Sequence, residues 1–201
     1  MQDVIELRRG LERWTQENCG FEERNYLGMN AIWRCPAGLY DDLVTGRKPP
    51  GGRGARMFYE GLLHERDMLE RLQGLGVYGA APRLVAEWDE RLQGRPDGEL
   101  WVDGKVWLLE IKSVTMTRFE EVKRRKEALQ RDYEQVQLYM LHGDYTETMV
   151  IYKARQTGEL WPIKVYPHER TQRRLENKAR AVLAAVDAGK RPECECGKHG
   201  G

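Results

Sequence analysis

The pattern of apolar and polar positions divides the chain into helix-rich ends and a strand-rich middle. Over residues 3–18 the apolar side chains Val4, Leu7, Leu11 and Trp14 recur every three or four positions, the period of one helical face, and Gly20 closes the run. Residues 29–45 read as one or two short helices interrupted at Cys35-Pro36, because proline has no backbone donor and restricts the residue before it. Glycine and proline gather in 46–54, which predicts a mobile loop. A longer helix is predicted from about Arg56 to Gln73, with Leu62, Leu69 and Leu72 on its buried stripe and His64 on an adjoining face. Strands are predicted at 83–89, 98–102 and 105–112, followed by helices at 117–130 and 132–142. Two more strands, 147–154 and 159–165, flank a turn at Gln156-Thr157-Gly158, and a last helix over 168–188 ends at Gly189.

That order describes an α/β fold with a mixed central sheet flanked by helices. At 201 residues and with 40% apolar residues the chain is long enough to bury a core as one domain. The expected parts are N-terminal helices and a basic loop (1–55), a core (56–166), a C-terminal helix (167–189) and a cysteine-containing tail (190–201). No apolar run approaches the ~20 residues that cross a bilayer, and the N-terminus is charged and amphipathic. Neither a signal peptide nor a membrane anchor is expected, and the cytoplasm is the expected location.

Chemistry concentrates around one hairpin. Asp103-Gly104 separates two strand-like runs, and both residues tolerate the positive φ of a tight turn. Folding there brings Asp97, in Gly94-Arg95-Pro96-Asp97-Gly98, beside Glu110 at one end of neighbouring strands. Glu110 and Lys112 are two apart and project from the same face, with Ile111 opposite. Charges at the end of the apolar run Val106-Trp107-Leu108-Leu109 are costly unless paired or metal-bound. Two carboxylates can hold a hard divalent cation while an ammonium steadies an attacking water.

Pro96-Asp97 with Glu110-Ile111-Lys112 resembles the signature of the PD-(D/E)XK nuclease superfamily, whose restriction-endonuclease-like core has this mixed sheet. Gln135-Val136-Gln137-Leu138-Tyr139 resembles the QxxxY element of its RecB-like exonuclease branch, and Gly61-Leu62-Leu63-His64-Glu65 the helix of that branch that donates a metal-binding histidine. The resemblance covers residues 57–140. It implies that His64, Asp97, Glu110 and the Ile111 carbonyl bind Mg²⁺ or Mn²⁺, that Lys112 orients or deprotonates the attacking water, and that Gln135 and Tyr139, on one helical face, reach the active site. Gln137 faces elsewhere. An imidazole ligand favours Mn²⁺. Glu65, about 100° from His64 around the helix, is left outside the ligand set.

The implied activity is metal-dependent DNA hydrolysis by an exonuclease acting at free ends, in recombination, repair or CRISPR adaptation. A structure-selective endonuclease is one alternative. A catalytically silent DNA-binding or assembly subunit is another, and the intact Asp97, Glu110 and Lys112 argue against it. The net charge of +1 does not mark a nucleic-acid binder, so distribution carries that argument. Arg47, Lys48, Arg53 and Arg56 lie in an acid-free segment, and Arg118, Lys123, Arg124, Arg125, Lys126 and Arg131 crowd a predicted helix. Both clusters would flank the site as phosphate contacts. Arg170, Arg173, Arg174, Lys178 and Arg180 form a third.

Cys19 and Cys35 lie near one end of the chain, Cys194 and Cys196 near the other. In the cytosol disulfides are not expected, and plain thiols are the simplest reading. Cys35 before the core and a cysteine pair in the tail also resemble the iron–sulfur branch of these exonucleases, which includes CRISPR-associated and phage recombination enzymes. There one cysteine joins three near the C-terminus, whereas this tail has two. The fourth ligand would be Cys19 or His199. A zinc site of Cys35, Cys194, Cys196 and His199 is equally consistent with the residues.

Overall fold

The computed structural model describes residues 2–21, 23–194 and 196. In chain order the elements are α1 (Gln2–Glu17), β1 (Leu27–Gly28), a 3₁₀ turn at Met29–Ala31, α2 (Pro36–Thr45), α3 (Gly52–Gly74), β2 (Tyr78–Gly79), β3 (Leu84–Ala86), β4 (Asp89–Gly94), β5 (Gly98–Val102), β6 (Lys105–Val114), α4 (Met116–Arg125), α5 (Gln130–Gly143), β7 (Thr148–Ala154), β8 (Leu160–Val165) and α6 (Glu169–Asp187). Five strands form the main sheet in the order β2-β5-β6-β7-β8, and β1-β4-β3 form a smaller one. The β6–β7 pair is parallel and the other pairs of the main sheet are antiparallel, so the sheet is mixed as expected. Among the described residues no helix is long and apolar enough to cross a membrane.

The hairpin forms where the Asp-Gly pair predicts it. Asp103 (φ 49°) and Gly104 (φ 75°) both take the left-handed conformation, and Val102 pairs with Lys105. β6 is covered on both faces, which is why it reads as a nearly continuous apolar run. Leu108 joins Phe119, Val122, Val136, Leu138, Val150, Tyr152 and Leu175 in the core shared with α4, α5 and α6. Trp107, Leu109 and Ile111 face the other way, where Ile151 and the Met68 and Leu72 side chains of α3 cover them. α5 is buried nearly all round from Glu134 to Met140. Its side chains therefore reach β6 from within the core.

Several boundaries differ from the expectations, for physical reasons. α3 begins at Gly52, four residues early, because the glycines of the expected loop enter the helix. The single strand expected at 83–89 is a hairpin, β3 against β4, and β4 runs on to Gly94. β1 and β2 are two residues each, too short to carry a period. The apolar stripe of α1 is largely open: Leu7 is 65% exposed, Leu11 59% and Trp14 50%. On α3 the buried side chains are Ala55, Met68 and Leu72, while Leu62 is exposed.

The glycines around Arg95-Pro96-Asp97 permit close approach. A Cβ at Gly94 would stand 2.5 Å from the Tyr139 ring and 2.8 Å from Met29 Sδ, and one at Gly98 would collide with the Tyr78 ring and lie 3.0 Å from the Gly79 carbonyl oxygen. Overpacking of this kind costs about 1–3 kcal/mol. Gly98→Ala is accordingly expected to lower the unfolding free energy by that order in urea titration. A wild-type midpoint would show that the neighbouring rings have room to yield.

Candidate active site

The site is built where β5 stops and β6 continues. The Asp97 N–H extends the ladder by donating to the Leu109 carbonyl at 3.1 Å. One step on there is no β5 carbonyl, and the Asp97 carboxylate replaces it by accepting from the Ile111 N–H at 2.6 Å. A strand residue directs its N–H and C=O to the same side, so the Ile111 carbonyl also faces the gap past the end of β5. The Tyr78 hydroxyl donates to the Asp97 carbonyl at 3.2 Å and secures the loop.

On the opposite face of β6 the Lys112 ammonium donates to Glu110 Oε1 at 2.6 Å and to Gln135 Oε1 at 3.1 Å. Gln135 donates in turn to Glu110 Oε1 at 2.6 Å and to the Tyr139 hydroxyl at 3.0 Å. Tyr139 reaches back to the Arg95 carbonyl at 3.4 Å. The structure thus joins Asp97, Glu110, Lys112, Gln135 and Tyr139 in one constellation. Gln137 turns away and spans the β8–α6 junction, donating to the Tyr166 carbonyl and accepting from the His168 N–H, both at 2.8 Å.

On α3 His64 and its neighbour Glu65 meet different charges. Charges acting on His64 are those of Lys153, Arg155, Glu60 and Asp67, and burial together with the two cations lowers its pKa. Its neighbour Glu65 is the α3 residue that acts on Asp97 and is acted on by Glu110, Lys112 and Arg95. Among the described residues no three of His64, Glu65, Asp97 and Glu110 bring ligand atoms within 4.8 Å of one another. His64 and Glu65 stand 100° apart around α3 and flank the stripe through Met68 and Leu72 on its two sides. The sequence carried a signal for Glu65: it lies in line with the buried Met68 and Leu72, at i, i+3 and i+7. A carboxylate on the buried stripe requires a reason.

Burial dominates the electrostatics. It raises the pKa of Asp97, with the Glu65 charge adding and Lys112 opposing. Burial also raises Glu110, with Asp97 adding and Lys112 opposing. For Lys112 burial works the other way, but Glu110, Asp132 and Asp97 outweigh it and keep the ammonium charged. Tyr139 is raised by burial and by the same two carboxylates, so it remains a neutral phenol. Glu110 is 3% exposed, and its Oε2 is buried without a hydrogen-bond partner. An orphaned carboxylate oxygen beside other oxygen donors suits a hard cation. The residues present fit a divalent metal.

Two of the basic clusters are engaged elsewhere. In the second, Arg118 pairs with Glu121, Lys123 with Glu159, Arg125 with Glu127 and Arg131 with Asp132. In the third, Arg174 pairs with Glu134, Lys178 donates to the Arg34 carbonyl, and Arg180 lies 3.9 Å from the centre of the Trp88 ring. In the first cluster Arg47 stacks over Phe21 and Phe58, and Arg56 lies 3.8 Å from a Glu12 carboxylate oxygen.

The tail returns to α2. Arg191 donates to both Asp41 oxygens at 2.7 and 2.8 Å, and the sulfurs of Cys35, Cys194 and Cys196 all lie within 4.8 Å of one another. Cys19 is outside this group, buried and donating to the Gln16 carbonyl. His199, the other suggested ligand, lies outside the described residues.

Paired carboxylates and a lysine meet on adjoining strand ends, and the fold that holds them is shared with solved exonucleases. Solved structures similar to it include the alkaline exonuclease LHK-Exo of Laribacter hongkongensis, at 12% identity and TM-score 0.67, covering 82% of this chain and 89% of that one. Its complex with dAMP aligns over the same shares at TM-score 0.65. A phage-related exonuclease of Haemophilus somnus 129PT aligns at 9% identity and TM-score 0.55, over 81% and 94% of the two chains. No family model and no curated protein sequence matches.

The raised carboxyls link stability to pH. A carboxyl whose folded pKa exceeds its unfolded value of ~4 favours folding while protonated, and that contribution is lost as pH rises through the folded value. In chelator, melting temperature is expected to fall from about pH 5 through neutrality, and to fall less in an Asp97→Asn/Glu110→Gln double variant. Equal slopes in thermal melts would contradict the burial of these charges.

Proposed function

We propose that this protein is a divalent-metal-dependent DNA nuclease of the RecB-like branch, hydrolysing phosphodiester bonds from free ends as an exonuclease. The observation that carries the reading is the Asp97–Glu110–Lys112 group, in which the buried Glu110 is held by Gln135 and left with one unsatisfied carboxylate oxygen. His64, Asp97, Glu110 and the Ile111 carbonyl would hold the ion, with Glu65 a further carboxylate on α3 whose charge acts on Asp97. The oxygen donors suit Mg²⁺ and Mn²⁺ alike, and the imidazole favours Mn²⁺. A bound ion lowers the pKa of its water and neutralises charge developing on the phosphate.

The chain's own residues do the rest. Lys112 stays an ammonium and donates to the water or the phosphate. Gln135 keeps Glu110 oriented, and Tyr139 ties Gln135 to the loop that carries Asp97. Exonuclease neighbours of this fold, one solved with dAMP, support nucleotide binding and attack at ends. The acid-free segment with Arg47, Lys48, Arg53 and Arg56 is the cluster best suited to phosphate contact.

Digestion of end-labelled linear DNA and of covalently closed circles, with Mg²⁺, Mn²⁺ or chelator, tests the reading. Linear DNA should be degraded only with metal, and circles spared; equal cutting of circles would indicate an endonuclease. Asp97→Ala, Glu110→Ala and Lys112→Ala should each lower the rate by about 10²–10³-fold or more. Near-wild-type cleavage by any of the three would remove the site assignment. His64→Ala should raise the metal concentration needed for half-maximal rate, and Glu65→Gln should do the same; an unchanged titration would remove that residue from the site.

We infer that Cys35, Cys194 and Cys196 hold a structural metal, an iron–sulfur cluster or zinc. The carrying observation is three soft donors gathered from the two ends of the chain. Such a link closes a loop of most of the chain, so it would stabilise the whole fold. Anaerobically purified protein should contain iron with visible absorbance, or stoichiometric zinc, and Cys35→Ser should lower the melting temperature. Absence of both metals would leave the cysteines as thiols.

A further inference from the structure

Lys153 has no place in the proposed chemistry, yet it is 6% exposed. It stands on β7 in register with Ser113, on the face that carries Ile111 and Ile151. An ammonium in such surroundings is costly, and an apolar side chain of similar length would serve stability as well or better. Its Nζ meets Asp67 Oδ2 of α3 at 2.5 Å, and Asp67 also accepts from Arg71 at 3.2 and 3.1 Å.

The geometry of α3 suggests what the pair is for. At 100° per residue Asp67 lies ~200° around the helix from Glu65, so the two occupy opposite flanks. Met68 and Leu72, between those flanks, form the helix's buried contact with the sheet. Apolar contact is non-directional, so two such side chains hold a helix down without setting its rotation. The first half of α3 adds little grip on the sheet, with Met57, Phe58, Leu62 and Leu63 exposed. A charge-assisted hydrogen bond on one flank is directional and does set the rotation.

We propose that Lys153 is a positioning residue: through Asp67 it fixes the rotation of α3 and so holds Glu65 against Asp97 and Glu110. The inference rests on the reading of Glu65 as part of the metal site.

The test is a mutant cycle read by Mn²⁺ affinity in calorimetry and by cleavage rate. Lys153→Met/Asp67→Leu should keep the wild-type melting temperature and chelator-state DNA affinity, yet bind Mn²⁺ about tenfold more weakly. Asp67→Asn, at a half-exposed position, should show the same shift should the double variant fold poorly. Lys153→Arg should retain most of the affinity. Glu65→Gln should weaken Mn²⁺ binding alike, and adding Lys153→Met to it should cause no further loss, since both act through one carboxylate. Wild-type Mn²⁺ affinity in the double variant and in Asp67→Asn, or losses that add fully, would overturn the positioning role. If Glu65→Gln alone changes nothing, the role falls with Glu65, while the nuclease reading is judged separately by Asp97→Ala.

Discussion

One hydrogen bond organises the site: the Ile111 N–H into the Asp97 carboxylate. A donor left over where a neighbouring strand ends must find a partner or water. Here a side chain takes the place of the missing backbone carbonyl. That substitution draws a carboxylate into the sheet interior, beside the strand that carries Glu110 and Lys112. It also obliges the loop to run close under Tyr139 and against Tyr78, which is why glycine stands at both 94 and 98. The end of a ladder has become the start of a site.

The polar groups then close on themselves. Glu110 is held by Gln135, Gln135 meets Tyr139, and Tyr139 meets the Arg95 carbonyl in the loop that bears Asp97. A closed network of this kind stiffens every member, and low local dielectric raises the cost of any unmet group. Glu110 Oε2 is such a group. Two carboxyls with raised pKa and one unsatisfied oxygen are poor for stability taken alone. On the proposed reading their last partner is a cation; a protein built for stability alone would fill this space with apolar side chains.

Most of this was legible in the sequence, and the exceptions share a cause. The Asp-Gly turn, the period of two in Glu110 and Lys112, and the period of four in Gln135 and Tyr139 are local signals, and each held in three dimensions. The rotation of α3 is not local. Leu62, Leu63, Met68, Leu69 and Leu72 offer more than one apolar stripe, and only the sheet beneath selects the one through Met68 and Leu72. Likewise β1 and β2 exist because longer strands lie beside them, and two residues carry no period of their own.

Charge was the least legible property, because a cluster's meaning depends on what faces it. The run Lys123-Arg124-Arg125-Lys126 is as basic as any in the chain, yet Lys123 is drawn to Glu159 and Arg125 to Glu127, so much of its field is spent within the fold. Surface pairs of this kind contribute little to stability, but they do remove cations from the count available to a polyanion. Arg95 shows the opposite case. It stands alone in the sequence between Gly94 and Pro96, and nothing in its neighbourhood marks it as part of a basic patch. Its carbonyl is nevertheless fixed by Tyr139 while its positive charge acts on Glu65 and Tyr78. A solitary arginine in the loop that carries one carboxylate, facing a second, shapes the field of the site more directly than the conspicuous runs do, since at these separations position outweighs number.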